Sequence, residues 1–420
     1  MLADIDLASQ AITLRNQNIP SPDASFVIIS PDGNSIYATQ EVAAGKVRQL
    51  STTTGALIAE QNSTGQNPTH LALSPDGKKL AVANYNSGDV GIYSLNAQGQ
   101  LAGIASQTFH PSAGNTHAHW VGWNKTNNIL YQVDLGAGKV YGYKPNGTGG
   151  FEAPFTALTV PAADGPRHLA FHPTLPIAYV ADELAAFLVT AAINADGTFT
   201  VMSTMSTLPA GSGAAKKVAH IQVSADGKHV YVSNRGHDSI AKFDLDAQGK
   251  PSAPNFTLTG GRTPRGFKLF DAAGLLVVAN QDSGNLILFK VDPITGNLTN
   301  TGKSLTGLTM PVVVDGGIGA KFLAGSSSSS SSAGSSLVQQ GKVNFSMKCS
   351  GCHNLANTGD AIFRAKTATI DQITTTIVNR MSARSIATGK GACTADCATS
   401  TATYLNAIFT GSLALTSALP

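Results

Sequence analysis

Two groups of residues in this 420-residue chain have the types and spacing to do chemistry. The first is dispersed. It comprises His117 and His119 in "NTHAHW", Arg167 and His168 in "GPRHL", Glu183 in "ADE", Arg235, His237 and Asp238 in "SNRGHD", and Arg265 in "TPRGF". Guanidinium groups hold anions and stabilise a developing oxyanion, while imidazole and carboxylate transfer protons. A His or Arg in such a place can equally be a satisfied polar residue that braces its surroundings. The second group is compact: "CSGCH", Cys349 to His353. Two cysteines separated by two residues can reach the two vinyl groups of haem as thioethers, and the adjacent His353 then stands beneath the iron. This predicts one covalently attached haem c. A redox disulfide or zinc site fits less well, because the histidine follows at once and no second pair has zinc-knuckle spacing.

The elements that must position the dispersed group repeat. Turn sequences stand at Ser30-Pro31-Asp32-Gly33, Ser74-Pro75-Asp76-Gly77, Ser224-Ala225-Asp226-Gly227 and Asp271-Ala272-Ala273-Gly274, with weaker equivalents at Asn124 to Asn127 and His172 to Leu175. Their spacing of about 44 to 52 residues is the period of a four-stranded propeller blade. Each turn joins two strand-like runs, as in "HLALSPDGKKLAVANY", and a second turn such as "NAQGQL" or "DAQGKP" joins the outer strands. Six units are plain. A seventh can be assembled from "MPVVVDGGIGAKFLA" and the N-terminal "AITLRNQ", a closure that removes exposed sheet edges. The candidate side chains fall at equivalent inner-strand ends, so they are expected to converge on one mouth of a central channel. His70, His110, His172, His220 and His229 read as single histidines without converging partners, and Tyr85, Tyr231 and Phe243 as blade packing.

Composition agrees with an all-β bulk: 13% of residues are charged and 43 are Gly. A net charge of +3 provides no basic stripe for nucleic acid. No run of about 18 apolar residues provides a membrane span, and the first twenty residues lack the pattern of a signal peptide, so a soluble chain whose export signal has been removed is expected.

The wording of the repeats, including "LALSPDGKKLAVANYNSGDVGIYSL", "GPRHLAFHPTLPIAYVADE" and "SADGKHVYVSNRGHDSIAKFDLD", resembles the lactonase-type propeller family, which includes 6-phosphogluconolactonases and carboxymuconate cyclases. The resemblance covers roughly Ser21 to Val314 and implies a seven-bladed propeller. In the cyclase branch a His, two Arg and a Glu are the proposed active-site set, and matching motifs place them at His119, Arg167, Glu183 and Arg235. The resemblance implies anion binding and oxyanion stabilisation by the two arginines, with His119 and Glu183 as an acid and base pair. The chain departs from family wording at Gly266, where a polar residue is common, and at Gln40, just before Glu41.

A Ser-rich linker, 324–336, separates the expected propeller, 1–323, from a segment 337–420 that resembles a small all-α monohaem cytochrome c. Ser326 to Ser332 is too polar and small to build a core, and a flexible chain of this length averages about 17 to 20 Å end to end. The cytochrome resemblance implies Met381 as the sixth iron ligand opposite His353, with Ser382 where proline is usual. It also implies a short disulfide loop between Cys393 and Cys397. Thioether haem and a disulfide both point to the periplasm or cell exterior. Residues 337–420 hold seven Lys or Arg and three Asp, a net +4 that leaves −1 on the rest; such a face favours an acidic redox partner protein, although a solvated surface is the commoner meaning.

Two functions follow as expectations. One is an exported electron-transfer protein whose propeller binds or recruits a partner. The other is a sugar-lactone hydrolase, with the lactone or another small anion in the propeller channel and the tethered cytochrome returning electrons from the oxidation that made the lactone.

Overall fold

The structure is a computed structural model that describes residues 3–6, 9–14, 21–111 and 114–316. The chain divides into two units, Met1–Gly325 and Ser326–Pro420, and the described residues all belong to the first. The serine tract, Cys349, Cys352, His353, Met381, Cys393, Cys397 and the expected all-α cytochrome domain lie outside the described residues.

The turn sequences fold as their chemistry dictates. In the second repeat Ser74 Oγ donates to Asp76 Oδ1 at 2.6 Å and accepts the Lys79 N–H at 2.9 Å, while Gly77 takes a positive φ of 69°. Aspartate closes the turn and glycine supplies the left-handed residue that a β-branched side chain would resist. Turns at six equivalent places, three of them with this Ser-x-Asp-Gly chemistry at Ser30, Ser74 and Ser224, join the first two strands of six four-stranded antiparallel sheets. Their innermost strands are Val27–Ile29, Pro68–Leu73, Ala118–Trp123, Pro166–Phe171, Val218–Val223 and Pro264–Phe270, numbered here as blades 1 to 6.

Apolar faces between consecutive sheets form the core, and a repeated tyrosine links the blades. Tyr131, Tyr179 and Tyr231, all fully buried, donate to the carbonyls of Gly197, Gly249 and Gly296 at 2.9, 2.6 and 2.7 Å. Each ring fills a blade interface and its hydroxyl satisfies a turn carbonyl of the next blade. Tyr231 and Phe243 are therefore the packing residues that the sequence suggests.

The seventh sector differs from the six. Its outer part is a two-stranded hairpin, Ala3–Ile5 with Ile12–Leu14, whose Ile5 and Ile12 pack with Val314 against blade 6. Its channel side is residues 311–316, which run beside blade 6 without joining a strand ladder. Asp315 fastens this segment from both sides, accepting the Ile29 N–H of blade 1 at 2.8 Å and pairing with Lys268 of blade 6 at 2.7 Å. The expected seven four-stranded blades are thus, among the described residues, six complete sheets and one partial sector. Residues 317–323, which the sequence reading assigns to that sector, lie outside the described residues. Among those residues no helix is long and apolar enough to cross a membrane.

Candidate functional site

The channel wall is built from the inner strands and residues 312–315, around a cavity of about 330 Å³. Inner and second strands run antiparallel, so the start of one and the end of the next lie at the same mouth. In blades 2, 3, 4, 5 and 6 the inner strand carries a register shift at that end, between Pro68 and His70, Ala118 and Trp120, Pro166 and His168, Val218 and Ile221, and Pro264 and Gly266. A bulge adds a residue and re-aims a side chain. Arg167 and His168 show the consequence: although consecutive, they are within 3.2 Å of each other through Nη1 and Nε2, and both line the channel.

At the mouth, Glu183 stands between two guanidinium groups. Its Oε2 lies 2.9 Å from Arg167 Nε and its Oε1 lies 2.6 Å from Arg235 Nη2. The first contact is ionic rather than a directed hydrogen bond, since its angle leaves Nε without a bonded acceptor. Backbone carbonyls of blade 5 hold both arginines: Ala219 accepts from Arg167 Nη1, Val218 from Arg235 Nη2 at 3.1 Å, and Lys217 from Arg235 Nε at 3.3 Å. Burial works against the charge of Arg167, and the Glu183 carboxylate opposes that effect. Arg265 is also lowered by burial, with the fields of Glu41 and Glu183 supporting its charge and that of Arg235 opposing it. Three arginines and two glutamates therefore share this end of the channel.

His119 comes from blade 3, where Asp134 fixes the preceding loop by accepting the His117 N–H at 2.7 Å and the Thr116 hydroxyl. Its ring is buried, lines the channel and keeps Nδ1 without a hydrogen-bond partner. Burial first, and then Arg167 and Arg265, hold its pKa well below the usual imidazole value. The structure thus brings Arg167, Glu183 and Arg235 into direct contact and sets His119 in the same channel. It does not bring in His237, which hydrogen-bonds Ser239 at 2.7 Å, or Asp238, whose Oδ1 accepts the Thr263 N–H at 2.8 Å.

A family profile described as "Lactonase, 7-bladed beta-propeller" matches residues 2–315. The chain belongs to this lactonase propeller family. Among its relatives, a 6-phosphogluconolactonase of Bacillus subtilis is 33% identical over 280 residues, covering 63% of this chain and 80% of that protein. A 6-phosphogluconolactonase of Formosa agariphila is 29% identical over 296 residues, covering 66% and 83%. The solved structure of a periplasmic gluconolactonase from Pseudomonas aeruginosa superposes with a TM-score of 0.67 at 25% identity, covering 74% of this chain and 92% of that one.

Below the mouth, the lactonase propeller carries a layer that the sequence reading missed. His70 and His220, which look bland in sequence, join His119 and His168 around the channel. His168 has its ring centroid 5.2 Å from that of His70 and 5.3 Å from those of His119 and His220. Burial lowers all four, His220 to about 3, with Arg167 adding to the effect, so the layer is uncharged near neutral pH. The signal was present: Phe26, His70, Trp120, His168 and His220 each stand four residues before the first residue of their turn. His172 and His229 keep their structural roles, accepting backbone N–H groups in a turn and pairing with Asp244 at 2.8 Å, respectively.

Three further differences from the sequence reading concern the lactonase mouth. Tyr85 is not blade packing; it stacks on His117 at 4.4 Å and meets the ring of His119 edge-on at 5.4 Å. Gly266 has a steric cause, for a Cβ there would stand 2.6 Å from the Val312 carbonyl oxygen. Gln40 occupies the repeat position of Asn84, Asp182, Asn234 and Asn280, the last residue of the second strand, and Glu41 follows it as Glu183 follows Asp182.

Proposed function

We propose that the propeller is a sugar-lactone hydrolase acting at the Arg167–Glu183–Arg235 mouth. The observation that carries this reading is the Glu183 clamp: one carboxylate fixes two guanidinium groups beside a buried, uncharged His119. The lactone carbonyl oxygen lies against Arg167 and Arg235, whose charge stabilises the oxyanion that forms when water attacks. His119 accepts the proton of that water. The ring C–O bond then breaks, the proton passes to the ring oxygen, and the product is an open hydroxy acid. Negative charge growing on the carbonyl oxygen offsets the fields of Arg167 and Arg265, which raises the proton affinity of His119 at the moment it is required. Glu183, engaged by both arginines, serves as an orienting anion rather than as the free base of the expected acid and base pair.

Relatives named as 6-phosphogluconolactonases and a periplasmic gluconolactonase support hydrolysis over a role as a partner-recruiting module. The periplasmic relative also supports an exported location for this chain. Purified protein should open an aldonolactone faster than the spontaneous reaction, in a pH-indicator assay. His119→Gln, with an unchanged circular dichroism spectrum, should lose about 10²-fold or more in kcat. Equal rates for the two proteins would remove His119 from the mechanism.

A second reading rests on "CSGCH". We propose that Cys349 and Cys352 attach one haem c with His353 as an iron ligand and Met381 as the other, and that the group supplies one-electron transfer to a redox partner protein. Haem that remains with the denatured chain after acidic acetone treatment supports this; complete extraction overturns it.

A further inference from the structure

The hydrogen bonds of the histidine layer fix its tautomers. Arginine only donates, so the 3.2 Å contact from Arg167 Nη1 makes His168 Nε2 an acceptor. In a neutral ring the proton is then on Nδ1, which donates to His220 Nδ1 at 3.0 Å. His220 consequently carries its proton on Nε2. His70 accepts the Val121 N–H at Nδ1, 3.4 Å away, and carries its own proton on Nε2 as well. Gln222 lies on the same strand face as His220, two residues on; its Oε1 accepts the Leu269 N–H at 2.7 Å, which leaves the amide NH₂ as a donor on the cavity wall. Lys268, the cation at this depth, is engaged by Asp315 at 2.7 Å.

Apolar surface adjoins these donors. Trp120, its ring centroid 5.6 Å from that of His70, lies over Gly122, where a Cβ would collide with the indole, and Ala72 of blade 2 keeps this part of the cavity wall small in side-chain volume. Uncharged N–H donors and an aromatic face therefore stand side by side around the cavity. That pairing suits a hydroxylated carbon chain, whose hydroxyls accept hydrogen bonds while its C–H face lies on the indole. An anionic group gains little here and much at the arginine mouth.

We infer that the channel below the mouth is a separate subsite for the uncharged hydroxyl-bearing carbons of the lactone, with His70, His220 and Gln222 as donors and Trp120 as the platform. This deepens the lactonase reading and rests on it, because it orients the lactone with its carbonyl at the arginines and its ring hydroxyls and hydroxymethyl group inward. Gln222 and Trp120 are specificity residues in this account.

The test compares two six-membered lactones, D-glucono-1,5-lactone and the unhydroxylated δ-valerolactone, on the full chain. Gln222→Met removes the donor, and Ala72→Leu fills the apolar wall without touching a hydrogen bond. Each should raise KM for gluconolactone about tenfold or more while leaving kcat/KM for δ-valerolactone within about twofold. Equal effects on both lactones, or none on either, overturn the subsite. Should neither lactone be turned over, the lactonase reading fails by itself, and glucitol binding decides the subsite. Trp120 and Trp123, the two tryptophans of the chain, both line the cavity. A saturable change in their fluorescence with glucitol, weakened in both variants but retained in Arg235→Ala, upholds the subsite; no saturable change, or one that the variants leave intact, refutes it.

Discussion

Arg167 and His168 are neighbours on one strand and behave as opposites. Arg167 keeps its charge in a site where 3% of its side chain is exposed, because Glu183 stands 2.9 Å away and Ala219 accepts its Nη1. His168, in a comparably buried place, has no carboxylate partner and is held neutral. The difference shows that burial alone does not decide charge at this site: the guanidinium starts about six pKa units above the imidazole, and the shared anion defends that lead against burial. A single bulged strand thus serves an ionic mouth and a neutral channel, one residue apart.

The strongest way to break this comparison is to remove the anion. Glu183→Gln preserves shape but leaves two guanidinium groups, one of them buried, without their shared counter-charge. Loss of one partner from a buried pair typically costs about 3 to 5 kcal/mol. Urea unfolding should show a destabilisation of that order, and kcat/KM for lactone opening should fall about 10²-fold or more as the arginines lose their fixed aim. A stability change within about 0.5 kcal/mol would mean that the backbone carbonyls alone hold the arginines, and the contrast between the two layers would collapse.

The propeller was legible because the Ser-Pro-Asp-Gly turns repeat a local chemical requirement, and local requirements are written in sequence. Arg167, Glu183 and Arg235 were legible through motifs at equivalent strand ends. The histidine layer was legible only in part: His70, His168 and His220 share one repeat position, but each blade contributes a single ring, His119 stands off that position, and the cluster exists only once the blades close into a circle. Gly266 was visible only as a departure from family wording; its cause, the backbone of Val312, is almost fifty residues away in the chain. The seventh sector was partly legible. The N-terminal hairpin follows the alternation of its residues, whereas 311–316 is held by side-chain contacts of Asp315 that no periodic pattern announces.

A smaller effect sharpens the comparison, and pH supplies it. The four channel histidines have folded-state pKa values below that of the unfolded chain, His220 at about 3, so as pH falls through the unfolded imidazole value of about 6.5 the unfolded state binds more protons, and in that range stability rises with pH. Asp182 has the opposite sign. It is fully buried, neither carboxyl oxygen has a hydrogen-bond partner, and burial, with Asp164 adding, pushes it up to about 8. Between the unfolded carboxylate value and 8 the folded state holds the extra proton, and stability falls as pH rises. Below about pH 7 the four histidines outweigh the one aspartate; above it the aspartate prevails. Stability, read from urea unfolding, should therefore peak near pH 7 and decline toward pH 8 with a slope of about 0.5 kcal/mol per pH unit. Asp182→Asn should remove the decline above the peak and steepen the rise on the acid side, because the aspartate opposes the histidines from about pH 4 upward; the fold should tolerate it, since Asn84, Asn234 and Asn280 fill the same place in other blades and donate to the Ser63, Thr207 and Thr259 carbonyls. If the wild type and this variant ran parallel from pH 6.5 to 8, Asp182 would be ionised in the fold, and burial without a partner would not be enough to neutralise a group here.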